Sequence, residues 1–208
     1  MAGEPNQTIV TLDLEGVLVP EIWIAFAERT GIDALRRTTR DEPDYDVLMR
    51  GRLEILREHK LKMADITAVI DGLAPLPGAQ AFLDELRVRT QVIILSDTFE
   101  QFAQPLMRQL NWPTIMCHRL IVDSTGTITD YQLRQPDQKR WAVEAFRSLN
   151  YRVVAAGDSY NDTAMLGAAH AGFLFHSPDN VRAEFPQFRA IDDFDTLLES
   201  ITEALTAP

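Results

Sequence analysis

Residues 9–16, Ile9-Val10-Thr11-Leu12-Asp13-Leu14-Glu15-Gly16, carry the reading that decides the fold. A short apolar run ends at two carboxylates and a glycine. That pattern predicts a buried strand delivering Asp13 and Glu15 at its C-terminal end. Just beyond, Glu21–Thr30 has apolar residues at helical spacing and stops at Gly31, a residue suited to the left-handed position after a helix. From about Asp33 to Leu73 no strand pattern occurs, while Asp44–His59 and Ala64–Leu73 read as amphipathic helices. Pro75-Leu76-Pro77-Gly78 then punctuates the chain. A helical insertion over residues 20–76 follows, with a core built from 1–19 and 77–208.

After the insertion, strands and helices alternate. Ala79–Arg89 reads as a helix, and Gln91–Leu95 as a strand ending at Ser96-Asp97-Thr98. Phe99–Leu110 reads as a helix kinked or broken at Pro105. Ile115–Val122 and Thr127–Leu133 flank Ser124-Thr125-Gly126 as a hairpin. Lys139–Leu149 is a helix. Arg152–Ala156 is a strand ending at Gly157-Asp158, followed by a helix through Met165. Gly172–Phe175 and Thr196–Leu205 close the chain as strand and helix. The alternation predicts an α/β fold: a Rossmann-like, mostly parallel sheet flanked by helices, with ligands outside the strands' carboxyl ends.

Composition narrows the function classes. The 208 residues carry 31 acidic and 20 basic side chains, a formal net charge of −11. Nucleic acid and anionic membranes need a basic field, so neither is expected as the main partner. Any anion site must be built from individual Arg and Lys residues. Cys117 is the only cysteine, which excludes an internal disulfide and a thiolate metal cluster; it reads as a small core hydrophobe. Met1–Gln7 lacks the basic and apolar regions of a signal peptide, and no apolar run is long enough to span a bilayer. A cytoplasmic protein is expected. His59, His118, His170 and His176 show no metal-ligand spacing and read as structural. Trp23, Phe26 and Met49 read as packing within the insertion.

Three strand ends carry polar residues: Asp13 with Glu15, Ser96 with Asp97, and Asp158 with Asp162. A parallel sheet brings them to one edge. Each alone reads as a helix cap or turn former; together, with Lys139, they fit phosphoryl transfer through a carboxylate. Asp13 supplies a nucleophile. Hard oxygen ligands from Asp13, Asp158 and the backbone carbonyl near Glu15 suit Mg²⁺. The Ser96 hydroxyl and Lys139 ammonium offer donors to phosphoryl oxygens, with Arg140 as the competing cation. Glu15, two residues after the nucleophile, can give and take the proton.

These residues resemble a known family. Asp13-Leu14-Glu15-Gly16-Val17, Ser96, Lys139 and Gly157-Asp158-Ser159-Tyr160-Asn161-Asp162 look like the four motifs of the haloacid dehalogenase-like superfamily. The resemblance is closer to its phosphoserine phosphatases. Within these it looks like the ThrH type, which also acts as a phosphoserine:homoserine phosphotransferase, through DLEGVLVPEIWIAFAE, RDEPDYDVLM, ILSDTF, QPLMRQL and AAGDSYND. It implies a nucleophilic Asp13, a proton-transferring Glu15, and Mg²⁺ held by Asp13, the Glu15 carbonyl and Asp158 with Asp162 behind them. Mn²⁺ is the competing metal. It implies substrate contacts at Glu21 and Arg52 from the insertion, and at Ser96, Asp97, Lys139 and Asn161 from the core. Glu21 suits a substrate ammonium and Arg52 a substrate carboxylate. The bland alternatives are a first-turn glutamate and a solvated arginine. Most phosphatases of the superfamily have Asp where Glu15 stands, and common phosphoserine phosphatases have Gly where Asp97 stands. Competing functions are a phosphatase of another small phosphomonoester, a phospho-accepting signalling domain and an inactive binding protein; a homodimer is the alternative to a monomer.

Overall fold

The computed structural model describes residues 7–39, 41–42 and 44–206. Met1–Asn6, within the stretch read for a signal peptide, lie outside these residues, as do Arg40 and Pro43 of the RDEPDYDVLM motif. In chain order the strands are β1 (Gln7–Leu12), β2 (Gln91–Phe99), β3 (Thr114–Val122), β4 (Ile128–Gln132), β5 (Tyr151–Gly157), β6 (Ala171–Phe175) and β7 (Arg189–Ile191). The α-helices are α1 (Ile22–Thr30), α2 (Tyr45–Glu58), α3 (Met63–Ile70), α4 (Ala79–Arg89), α5 (Glu100–Gln109), α6 (Gln138–Ser148), α7 (Thr163–Ala168), α8 (Asp179–Glu184) and α9 (Phe194–Thr206).

The strands form one sheet in the order β4-β3-β2-β1-β5-β6-β7, parallel except for the β3–β4 hairpin. β1 is central and buried on both faces, as its sequence predicts. The chain builds outward from β1 through β2 to β3 and β4, then crosses to β5 on the other side. Strand order therefore reverses at β1, where the carboxyl ends open a crevice. Register fixes what reaches that crevice. Leu12 pairs with Ile94 of β2 and with Ala156 of β5. Asp13 thus leaves β1 one residue beyond the pairing, and Ser96 and Asp158 lie two residues beyond it on the flanking strands.

The insertion leaves through a tight turn. The Leu18 and Val19 amides both donate to the Leu14 carbonyl, and the Gly16 amide donates to Val19. Gly16 sits at φ +78°, a conformation that L side chains rarely adopt. The return is marked by the Leu76 amide, which donates to the Leu18 carbonyl at 2.9 Å. Between these points α1 ends at Gly31 in the left-handed conformation, and Asp44 caps α2 by accepting from the Asp46 and Val47 amides. Phe26, Leu56, Ile66 and Ile70 from the insertion join Phe102, Leu106 and the sheet residues in one apolar cluster. Trp23, Phe26 and Met49 are buried there as expected.

Several expectations need correction. β2 runs past Leu95 to Phe99, because Phe99 pairs with His118 after a bulge that contains Ser96-Asp97-Thr98. α5 continues through Pro105 as one helix. Cys117 is only partly buried, on β3. β7 and α8 carry no pattern that the sequence reading recognised. No helix among the described residues is long and apolar enough to cross a membrane.

Candidate active site

The turn after β1 places two carboxylates differently. Asp13 stays in line with the strand, its amide donating to the Ala156 carbonyl at 3.0 Å and its Oδ1 accepting from the Leu14 amide at 2.7 Å. Glu15 is displaced by the turn, and its Oε2 accepts from the Ile22 amide at 2.8 Å. Glu21 is the N-cap residue of α1 but makes no side-chain cap bond, so Glu15 fills that role from outside the helix. Burial pushes the Glu15 carboxyl up to about 7, with Glu21 adding to the shift and the Ile22 amide and Arg52 opposing it. The Thr98 hydroxyl is near enough to favour the charged form of Glu15, yet it meets no protein atom in hydrogen-bond geometry.

Lys139, on the first turn of α6, is 3% exposed and sits among three carboxylates. Its Nζ lies 2.8 Å from Asp162 Oδ1, 3.0 Å from Asp13 Oδ2 and 3.4 Å from Asp97 Oδ2. Burial alone would lower its pKa, but these partners hold it well above the ordinary value. Arg140 instead pairs with Asp137 and Glu144 and lies over the Trp141 ring. Burial also raises the Asp13 pKa well above normal, with Asp162, Asp158 and Asp97 adding to the effect and Lys139 opposing it. An uncompensated negative field of this kind calls for a further cation.

The residues present fit a hard divalent ion. Asp13, Asp158 and Asp162, all buried, offer carboxylate oxygens within 4.8 Å of one another. Two glycines make room for the set. A Cβ on Gly16 would stand 2.5 Å from the Asp158 carboxylate, and one on Gly157 would stand 2.3 Å from Asp162 Cγ. Asp162 is fully buried; its Oδ2 accepts from the Asp158 and Ser159 amides at 2.9 and 3.2 Å, so it fixes the loop that carries Asp158.

Ser96 and Asp97 lie in the β2 bulge. The Ser96 Oγ accepts from the Thr98 amide at 3.2 Å. Asp97 has the most partners: Asn161 Nδ2 at 2.8 Å, Gln138 Nε2 at 3.2 Å, Lys139, and His118 Nε2 at 3.5 Å. Burial would raise its pKa, but Lys139 and the donors from His118, Asn161 and Gln138 outweigh that and hold the carboxyl well below the usual range.

Arg52, on α2, is buried with its guanidinium 4.5 Å from the centroid of the Trp23 ring on α1. Its Nη2 donates to the Arg37 carbonyl at 2.7 Å, while its Nε is buried without a partner. Desolvation lowers its pKa to about 10. Arg52 and Glu21 face the same cavity of about 80 Å³ as Asp13, Glu15, Ser96, Asp97, Lys139, Asp158 and Asn161. Arg52 is therefore no solvated arginine. Asp162 alone of the expected site residues stands behind the wall.

Gln138 was not singled out in the sequence. Gln138 is buried, accepts from Arg134 Nε at 2.9 Å, and donates to the Ser96 carbonyl at 2.5 Å as well as to Asp97. His118, read as structural, is buried beside Asp97, and its Nδ1 accepts from the Arg134 amide at 3.1 Å. The one available signal was position: Gln138 precedes Lys139, and His118 lies on the strand beside β2.

A family model described as haloacid dehalogenase-like hydrolase matches residues 8–170. A protein named phosphoserine phosphatase from Pseudomonas syringae pv. tomato is 65% identical over 97% of this chain and 85% of its own length. Phosphoserine phosphatase ThrH from Pseudomonas aeruginosa is 63% identical over 94% of this chain and 96% of its own. Among solved structures, a phospho-aspartyl intermediate analogue of phosphoserine phosphatase superposes with a TM-score of 0.78 at 19% identity, covering 93% of this chain and 98% of that one. A substrate-bound phosphoserine phosphatase complex gives 0.77 at 20% identity, over 98% of this chain and 100% of that one. At such identities these two structures bear on the fold alone. Strand order, the carboxylates around Lys139, the family match and the Pseudomonas relatives agree: this chain belongs to the haloacid dehalogenase-like hydrolases.

Proposed function

We propose that this protein is a phosphoserine phosphatase, with phosphoryl transfer to homoserine as a second outcome. The relatives named phosphoserine phosphatase support the substrate. The observation that carries it on this chain is Arg52, a buried guanidinium with an unpartnered Nε on the cavity that contains Asp13. A simple phosphomonoester needs no second cation there; a phosphoamino acid brings a carboxylate that does. Glu21 on the same cavity suits the ammonium. In this reading residues 20–76 form a cap and residues 1–19 with 77–208 the catalytic core.

Asp13 attacks phosphorus, and the bond to the serine oxygen breaks. Glu15, whose pKa near 7 leaves much of it protonated at neutral pH, gives that oxygen its proton. An aspartyl-phosphate remains on Asp13. Glu15, now a carboxylate, takes a proton from water or an alcohol as its oxygen attacks phosphorus and Asp13 departs. The Ser96 hydroxyl and Lys139 hold the phosphoryl oxygens through both steps. Asp97 and Asn161 border the substrate from the core.

Asp13, Asp158 and the Glu15 backbone carbonyl would hold Mg²⁺, with Asp162 fixing the Asp158 loop. When bound, the ion would neutralise charge between the phosphoryl group and the carboxylates. The buried, near-neutral Glu15 favours turnover over a long-lived signalling phosphate. The test is phosphate and phosphohomoserine release from O-phosphoserine with Mg²⁺, with and without homoserine, for wild type and Arg52→Ala. A KM unmoved by Arg52→Ala would remove the amino-acid assignment, and a stable phosphoprotein without turnover would revive the signalling reading.

A further inference from the structure

A second and larger cavity adjoins the catalytic one. Its volume is about 580 Å³, and Thr39, Tyr45, Asp97, Lys139 and Asn161 line both. Its own walls come from the segment between β4 and α6, including Leu133 and Pro136, and from Tyr160 and Ala164 at α7. The reaction proposed above uses none of these outer residues.

The charged residues lining this cavity are Asp97, Asp137 and Lys139. Lys139 is already shared among Asp13, Asp162 and Asp97. His118 accepts at Nδ1 from the Arg134 amide, and its Nε2 lies 3.5 Å from Asp97. Asp137 is half-exposed and shared with Arg140. Asp97 is held ionised, and its side chain is 29% exposed, unlike the nearly inaccessible Asp13 and Lys139. A carboxylate kept charged at the border of two cavities is a seat for a cation. It is also close to the chemistry, since Asp97 and Asp13 both touch the Lys139 ammonium, at 3.4 and 3.0 Å.

We propose that the second cavity is the acceptor site: an alcohol bearing a primary ammonium binds with its ammonium on Asp97 and its body among Leu133, Pro136 and Ala164. Its hydroxyl reaches into the catalytic cavity. This rests on the transfer reading given above. Donor and acceptor are then recognised at different ends, the donor by Arg52 and Glu21 and the acceptor by Asp97. In the transfer step the acceptor oxygen forms a bond to phosphorus, and the phosphorus–oxygen bond to Asp13 breaks with its electron pair returning to the carboxylate. The acceptor proton passes to Glu15.

The experiment fills the outer cavity and reads the partition of the aspartyl-phosphate. Ala164 is exposed at the start of α7, so Ala164→Trp can project into the cavity without disturbing the core. O-phosphoserine is supplied with Mg²⁺ and homoserine, and phosphate and phosphohomoserine are measured together. The expected result is hydrolysis within about twofold of wild type and a transfer-to-hydrolysis ratio about tenfold lower. Ala164→Ser should keep the wild-type ratio. With wild type, 4-hydroxybutyrate, which has the same carbon chain without the ammonium, should accept about tenfold less phosphate than homoserine. Wild-type transfer that persists unchanged in Ala164→Trp overturns the acceptor site and leaves the transfer reading intact. A wild-type enzyme that makes no phosphohomoserine overturns both.

Discussion

Glu15 Oε2 accepts the Ile22 amide at 2.8 Å, so the carboxyl assigned to proton transfer is also the cap of the helix that opens the insertion. Chemistry and insertion therefore share an atom. A proton arriving on Glu15 removes charge from the positive end of α1.

The first prediction concerns pH. The Glu15 carboxyl titrates from 4.5 in the unfolded chain to about 7 when folded. Between those values the folded protein holds the extra proton, so this group's contribution to stability falls as pH rises from 4.5 to 7, then levels off. In metal-free protein, Glu15→Gln should remove that part of the slope in denaturant midpoints measured across this window. Parallel slopes for wild type and variant would refute the assignment.

Lys139 gives the second. Lys139→Met leaves Asp13, Asp97 and Asp162 without their shared cation. Loss of one partner from a buried charge cluster costs about 3–5 kcal/mol. Urea unfolding should show that loss in metal-free protein, with turnover falling about a hundredfold or more. Stability within about 0.5 kcal/mol of wild type would mean that the cluster is not ionised as described.

For the metal, Gly16→Ala is the sharpest test. The new Cβ meets the Asp158 carboxylate at 2.5 Å in a backbone conformation at φ +78°. The conformational cost is about 1–2 kcal/mol, and displacement of Asp158 should weaken Mg²⁺ binding about tenfold or more in calorimetric titration. Unchanged Mg²⁺ affinity would move the metal away from Asp158.

Gln138→Leu probes the support of the bulge. It removes the donors to the Ser96 carbonyl and Asp97 while keeping similar bulk. Each buried acceptor left unmet costs about 1–3 kcal/mol. Turnover should fall while Gln138→Glu, unable to donate when ionised, falls further; equal activity in all three proteins would leave Gln138 without a positioning role.

Much of the catalytic edge was legible because periodicity and register are local. Once β1, β2 and β5 are recognised as parallel neighbours, Asp13, Ser96 and Asp158 must converge. Lys139 was legible as a required cation, though only its three partners separated it from Arg140. The β2 bulge was not, because Ser96-Asp97-Thr98 resembles an ordinary strand end and only Phe99 pairing with His118 shows that the strand resumes. Gln138 and His118 act on Asp97 across 41 and 21 positions of sequence, where no local pattern speaks. β7 has three residues, two of them exposed, so it carried no alternation to read.

The hydrogen bond from the Leu76 amide to the Leu18 carbonyl brings together the two ends of everything between them. Seen from the sheet, the insertion is a closed detour whose start and finish coincide. Its length is then nearly free to vary, because ring size enters the cost of closing a loop only logarithmically. Under the function proposed above, the substrate contacts assigned to Arg52 and Glu21 form a cassette that can be exchanged while the strands of the sheet keep their register.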